Sequence, residues 1–220
     1  MMENKNNEFP LCCDCVFQAE VEFDGKDYCI RCLKEAVIRK QRHKNQDFYM
    51  KKIVLFASGN GSNAENIMAY FDTSNVVSVV GVFSNNSEAK VIERAKKFKV
   101  PIFIFNKMEL SDNTVLSQLM QLQPDLIVLA GFLLKFPIHI INEFPNKVIN
   151  IHPALLPNYG GKGMYGMQVH QAVLENKEKE TGITVHYVNE HFDEGEFIFQ
   201  ANIKIENCTT AEEIAQKIHK

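Results

Sequence analysis

From residue 53 onward the chain alternates between apolar runs and amphipathic stretches. Near-continuous apolar runs at 53–58, 76–83, 102–105, 126–130 and 148–151 predict strands. Between them, 64–71, 88–98 and 116–122 place apolar residues at helical spacing. Further on, 184–188 and 196–203 predict two strands around a turn, and 210–219 predicts a helix opened by Thr210 as its cap. Strands that are apolar on both faces belong inside a sheet covered on both sides. The predicted class is therefore α/β: a Rossmann-like, mostly parallel sheet with helices on both faces. In such sheets ligands bind beyond the carboxyl ends of the strands, so the residues standing there are the candidates for function.

The first 49 residues follow another pattern. Residues 19–23 alternate, Asp24-Gly25 is a hairpin turn, 26–28 return, and 33–43 predict a helix. Five of the six cysteines lie here, spaced Cys12-x2-Cys15-x13-Cys29-x2-Cys32, with Cys13 a bystander and Cys208 far away. Two CxxC pairs at this separation point to a structural zinc site held by Cys12, Cys15, Cys29 and Cys32, in a module resembling a small treble-clef or ribbon zinc finger. A segment this short needs such a staple to fold. A redox dithiol is one alternative, and a segment that is not part of the working protein is another. The polar stretch 43–49 marks the boundary, giving a zinc module and linker over 1–49 and a second domain over 50–220.

Composition narrows the function classes. The 220 residues are 45% hydrophobic and 23% charged, a globular balance. The net charge of −3 supplies no global field for nucleic acid or anionic membrane. Six basic residues between 31 and 44, against Glu35, read as a solvated face or linker rather than a phosphate-binding surface. No apolar run approaches the roughly 20 residues of a spanning helix. The N-terminal MMENKNNEFP lacks the apolar core of a secretory signal. A cytoplasmic protein with no membrane partner is the expectation.

Three strand ends carry candidate chemistry. After the first comes Ser58-Gly59-Asn60-Gly61-Ser62-Asn63, then a helix. Small residues before a helix N-terminus form a phosphate cradle. The letters also fit a dinucleotide fingerprint, but that reading needs an acid at the end of the second strand, where Ser84-Asn85-Asn86 stands. A phosphomonoester is preferred over NAD, and a plain strand–helix turn is the bland alternative. After the fourth strand comes Ala130-Gly131-Phe132-Leu133-Leu134. After the fifth comes Asn150-Ile151-His152-Pro153-Ala154-Leu155-Leu156-Pro157. Asn150 and His152 alternate along an extended segment, so both face one side. Downstream, His186-Tyr187-Val188 leads to Asp193-Glu194-Gly195.

These stretches, SGNGSN at 58–63, LAGF at 129–132, NIHPALLP at 150–157 and the run from His186 to Gly195, cover nearly all of residues 50–220 in order. Together they resemble the phosphoribosylglycinamide formyltransferases (glycinamide ribonucleotide transformylases), a folate-dependent family of purine biosynthesis. The resemblance implies transfer of a formyl group from the co-substrate 10-formyltetrahydrofolate to the amine of glycinamide ribonucleotide, without metal. It implies catalytic roles for Asn150, His152 and Asp193. Asn150 would donate to the oxyanion; His152, if protonated, would donate to the same oxygen and help shuttle a proton to the departing folate nitrogen, and Asp193 would raise its pKa. Gly61, Ser62 and Asn63 would take the ribonucleotide phosphate. Leu133, Leu134, Lys135 and Phe136, with Asn150, would border the folate; the family usually has an Arg where this chain has Leu134. The chain stops at Ile218-His219-Lys220. The domain is therefore expected to lack the family's C-terminal helix, and a catalytically impaired nucleotide- or folate-binding protein is an alternative. An adaptor defined by the zinc module is another. The partners implied are small molecules, not nucleic acid.

Overall fold

The computed structural model describes residues 21–23, 26–28, 32–37 and 50–219. The chain divides into two compact units, Met1–Met50 and Lys51–Lys220. In the first, β1 (Val21–Phe23) and β2 (Lys26–Tyr28) pair antiparallel, with Phe23 opposite Lys26. Asp24 and Gly25, the predicted turn, lie outside the described residues. A helical segment, α1, covers 32–37, with Cys32 half-buried at its start. Cys12, Cys15 and Cys29 lie outside the described residues. Among the described residues, no group of three or more His, Cys, Asp or Glu side chains is placed to hold a metal.

The second unit is built on a seven-stranded sheet. Its strands in chain order are β3 (Lys51–Phe56), β4 (Val77–Ser84), β5 (Ile102–Ile104), β6 (Leu126–Leu129), β7 (Val148–His152), β8 (Glu180–Tyr187) and β9 (Phe197–Lys204). Their spatial order is β5-β4-β3-β6-β7-β8-β9. The five strands from β5 to β7 run parallel, and β8 and β9 add antiparallel. The sheet is thus mixed but mostly parallel, and order reverses between β3 and β6. A crevice opens at such a switch point.

The helices are α2 (Ser62–Phe71), α3 (Lys90–Lys97), α4 (Lys107–Ser111), α5 (Thr114–Leu122), α6 (Ile138–Glu143), α7 (Met167–Glu175) and α8 (Ala211–Ile218). Side chains of β3 separate by parity, as successive residues of a strand must. Val54 and Phe56 pack with Leu110 of α4, Val115 and Leu119 of α5 and Ile140 of α6. Ile53 and Leu55 pack with Ala64 and Met68 of α2 and Val91, Ile92 and Ala95 of α3. Both faces are therefore covered. A smaller cluster joins Val173 of α7 to Ile205 and to Ile214 of α8, with Tyr159 packed against it. Among the described residues no helix is long and apolar enough to cross a membrane.

Three helices, α4, α6 and α7, fall where the sequence pattern predicts none. α4 and α6 are too short to display a full period, and α4 owes its start to a capping box between Asn106 and Glu109. α7 follows a glycine-rich stretch that masks its buried Val169, His170 and Val173. β8 also begins four residues earlier than expected, at Glu180 rather than Thr184. Thr210 does cap α8, accepting from the Glu213 backbone N–H at 3.2 Å.

Candidate active site

The crevice at the switch point is laced together by one hydroxyl. Ser58, at the end of β3, donates from Oγ to Asn85 Oδ1 at 2.6 Å and accepts from the Leu133 N–H at 3.0 Å. Its own N–H donates to the Gly131 carbonyl at 3.0 Å. The ends of β3, β4 and β6 are thereby tied together. Ser58 is buried, and its role depends on residues far away in sequence, so the motif alone could not reveal it.

Past Ser58 the chain turns into α2 at Gly61, whose φ is +70°. A Cβ there would lie 2.5 Å from Val91 of α3. Only glycine satisfies both the left-handed backbone and this contact. Gly61 is the cap of α2 and supplies no side-chain bond, so no capping side chain occupies the first-turn N–H groups of Ser62 and Asn63. These N–H groups and the positive end of the helix dipole make this turn a candidate anion-binding position. Gly61, Ser62 and Asn63 are all half-buried at its rim.

The second cluster stands at the ends of β7 and β8. In the antiparallel pairing Asn150 lies opposite His186, and His152 opposite Thr184. Thr184 Oγ1 donates to the Ala154 carbonyl at 2.7 Å and accepts from the Leu156 N–H at 3.0 Å, which pins the turn after His152. Beyond β8 the chain doubles back, and Asp193 (φ +58°) returns toward β7. Gly195 makes this reversal possible, since a Cβ there would sit 1.6 Å from the Tyr187 carbonyl oxygen.

Asn150, His152 and Asp193 therefore meet. Asn150 Nδ2 donates to Asp193 Oδ1 at 3.2 Å and to His186 Nε2 at 3.1 Å. His186 Nδ1 faces the Tyr187 carbonyl at 2.8 Å and must donate there, so its Nε2 accepts from Asn150 in the neutral ring. Both Asn150 amide hydrogens are thus engaged, where the sequence reading left them open for a ligand. His186 is the buried partner that this reading quoted without assigning it a role. Its place opposite Asn150 follows from the register of β8 on β7.

His152 is 3% exposed. Its Nε2 faces the Tyr159 carbonyl at 2.7 Å. A carbonyl only accepts, so Nε2 carries the hydrogen and Nδ1 is the nitrogen that can exchange a proton. Nδ1 lies 3.6 Å from Asp193 Oδ2. That oxygen also accepts the Gly161 N–H at 2.9 Å. Burial pulls the His152 pKa below its ordinary 6.5 and outweighs the upward pull of Asp193 and the Tyr159 carbonyl. The upward pull expected of Asp193 is present, but the balance favours the neutral ring. Burial pushes Asp193 up, but the His186 side chain, the positive charge that His152 carries once it is protonated, and the Gly161 N–H together hold it below 3.8. It is a carboxylate.

The segment after β6 divides. Leu133 and Lys135 are exposed and Leu134 is half-buried. Phe136 is only 4% exposed, its ring edge-on to Phe56 at a centroid distance of 5.1 Å. It belongs to the core, and the exposed face of this segment is Leu133 and Lys135. Next to Asp193, a cleft of about 620 Å³ runs between Pro157, Gly161, Phe192 and Phe197, within the size range of small-molecule sites.

Comparison with known proteins places this geometry among relatives. The sequence profile of the formyl transferase family matches residues 51–220. Phosphoribosylglycinamide formyltransferase of Bacillus subtilis is 38% identical over 177 residues, covering 78% of this chain and 88% of the relative. The chloroplastic enzyme of that name from Arabidopsis thaliana is 35% identical over 175 residues, covering 76% of this chain. The chain spans 60% of the length of that relative and 56% of its counterpart from Vigna unguiculata. Among solved structures, glycinamide ribonucleotide transformylase 1 from Geobacillus kaustophilus superposes with a TM-score of 0.70 at 32% identity. That match covers 78% of this chain and 92% of the solved one.

Proposed function

We propose that this chain, which belongs to the formyl transferase family, moves a formyl group from 10-formyltetrahydrofolate to the amine of glycinamide ribonucleotide. The observation that carries the reading is the meeting of a neutral buried histidine, a carboxylate and an amide at the ends of β7 and β8. The turn before α2 and the likeness to phosphoribosylglycinamide formyltransferases support this choice of substrates. Glycinamide ribonucleotide supplies a phosphomonoester for Gly61, Ser62 and Asn63. Leu133, Leu134 and Lys135 border the folate.

The chemistry then follows from protonation states. The amine nitrogen attacks the formyl carbon, and its proton passes to Nδ1 of His152. Asp193, 3.6 Å away, stabilises the imidazolium that forms. The carbonyl oxygen becomes an oxyanion, and Asn150 turns one amide hydrogen to it from Asp193, the longer of its two bonds. The imidazolium returns the proton to folate nitrogen as the carbon–nitrogen bond breaks, and the oxyanion collapses to the new formamide. His152 thus acts first as base and then as acid.

Formyl transfer by purified full-length protein, followed by release of tetrahydrofolate, tests the reading. Activity well above that of His152→Ala supports it; activity at that background overturns it in favour of a binding-only protein. The cytoplasmic location belongs to the same proposal.

The Cys12, Cys15, Cys29 and Cys32 set is proposed as a structural zinc site, on its spacing alone. Metal analysis should find about one zinc per chain, lost in the Cys29→Ser/Cys32→Ser protein. A zinc-free wild type that remains fully folded would refute this.

A further inference from the structure

We propose that Arg94 is a positioning residue for the substrate phosphate, and that it also masks the carboxylate of Glu65 from that phosphate. The identity of the phosphate rests on the formyl-transfer reading above; the geometry does not.

Arg94 projects from α3 onto the loop between β3 and α2, with only 24% of its side chain exposed. Its Nε donates to the Asn60 carbonyl at 2.8 Å and its Nη2 to Asn60 Oδ1 at 3.0 Å. One planar guanidinium thus grips main chain and side chain of the same loop residue. Its Nη1 pairs with Glu65 in the first turn of α2. α3 holds the loop at two further points. The Val91 N–H donates to the Gly59 carbonyl at 3.2 Å, and Gly61 lies against the Val91 side chain. Residues 59–61 are therefore shaped from α3, and the anion-binding N–H groups are aimed by that shape. A lysine could not reproduce the grip, because its ammonium lacks the fixed fork.

The charge arrangement gives Arg94 its second task. A carboxylate in the first turn of a helix competes with a bound anion for the same positive dipole end. Glu65 is such a carboxylate, one turn from the phosphate position. Arg94 pairs with it directly and Lys97 approaches at 3.4 Å. Removing the guanidinium would both loosen Asn60 and uncover a negative charge beside a dianion.

The test compares wild type, Arg94→Gln and the Arg94→Gln/Glu65→Gln double variant in the full chain. For Arg94→Gln, KM for the ribonucleotide should rise about tenfold, with kcat changed less than about threefold and KM for folate unmoved. In the double variant the ribonucleotide KM should recover only in part, to about threefold above wild type, because the unmasked charge is gone while Asn60 stays loose; full recovery overturns the positioning role. A merely structural ion pair would instead lower thermal stability and move both KM values together, which overturns the proposal. An unchanged ribonucleotide KM overturns it too, and a double variant as weak as the single overturns the masking. Titration with inorganic phosphate, read at the Gly61, Ser62 and Asn63 amide resonances, gives an answer independent of turnover. About tenfold weaker phosphate binding in Arg94→Gln supports the proposal even if the wild type transfers no formyl group, and unchanged binding overturns it.

Discussion

His152→Ala is expected to lower kcat for formyl transfer by about 100- to 10,000-fold, with KM for either substrate changed far less. On the proposed mechanism the variant removes the group that takes the amine proton and returns it to folate. It leaves the anion-binding turn at Gly61 and the segment after β6 in place. Steady-state kinetics on protein shown to be folded by thermal unfolding would check this. The pH dependence makes the prediction sharper. Burial holds His152 below 6.5, so the free enzyme carries a neutral base through the neutral range. Activity should therefore fall only as pH drops through a value below 6.5, and this acidic limb should be absent from the residual activity of His152→Ala. An acidic limb above 6.5, or one that survives in the variant, would contradict the assignment.

Asp193→Asn is expected to lower kcat on the order of 100-fold, because the charge that stabilises the imidazolium is lost while the side-chain shape is kept. An amide oxygen can still accept the Gly161 N–H, so the turn should persist. The acidic limb of the rate profile should move to lower pH, since a histidine without its anion is harder to protonate. The same groups set acid stability. His152 and His170 are both held below 6.5, His170 mainly by burial and also by the charges of His219 and His152. The unfolded chain thus binds more protons than the folded one as pH falls below 6.5, and stability falls with it. Asp193 is held below 3.8, so its contribution is present above that value and is lost as pH falls through its lowered pKa. Both effects have the same sign. Chemical denaturation at pH 7 and pH 5 should show a lower unfolding free energy at pH 5.

The frame of the second unit was legible because β3, β4, β6 and β7 are apolar on both faces, and a strand so composed has one place to be. The Asn150–His152 pair was legible for an equally local reason, the two-residue repeat of an extended chain. What escaped the sequence is non-local. His186 gains its role from standing across the ladder from Asn150. Ser58 gains its role from Asn85 and Leu133, distant in sequence and adjacent in space. Phe136 belongs to the core because Phe56 stands against it. The protonation of His152 is likewise a balance between burial and one carboxylate. The sequence shows the carboxylate and not the burial, so only the upward half of that balance is legible in it.

The orienting partner of His152 is a main-chain carbonyl, that of Tyr159, rather than a side chain. The tautomer of the His152 ring is consequently insulated from most single substitutions at position 159, since every amino acid brings the same oxygen. What evolution cannot freely change is the path of the chain there. Tyr159 sits at φ +58°, a conformation that aims the carbonyl and that most side chains adopt at a cost. Heritable variation at this position is therefore filtered by backbone conformation and not by chemistry, and a glycine or asparagine is the replacement that should be tolerated most easily.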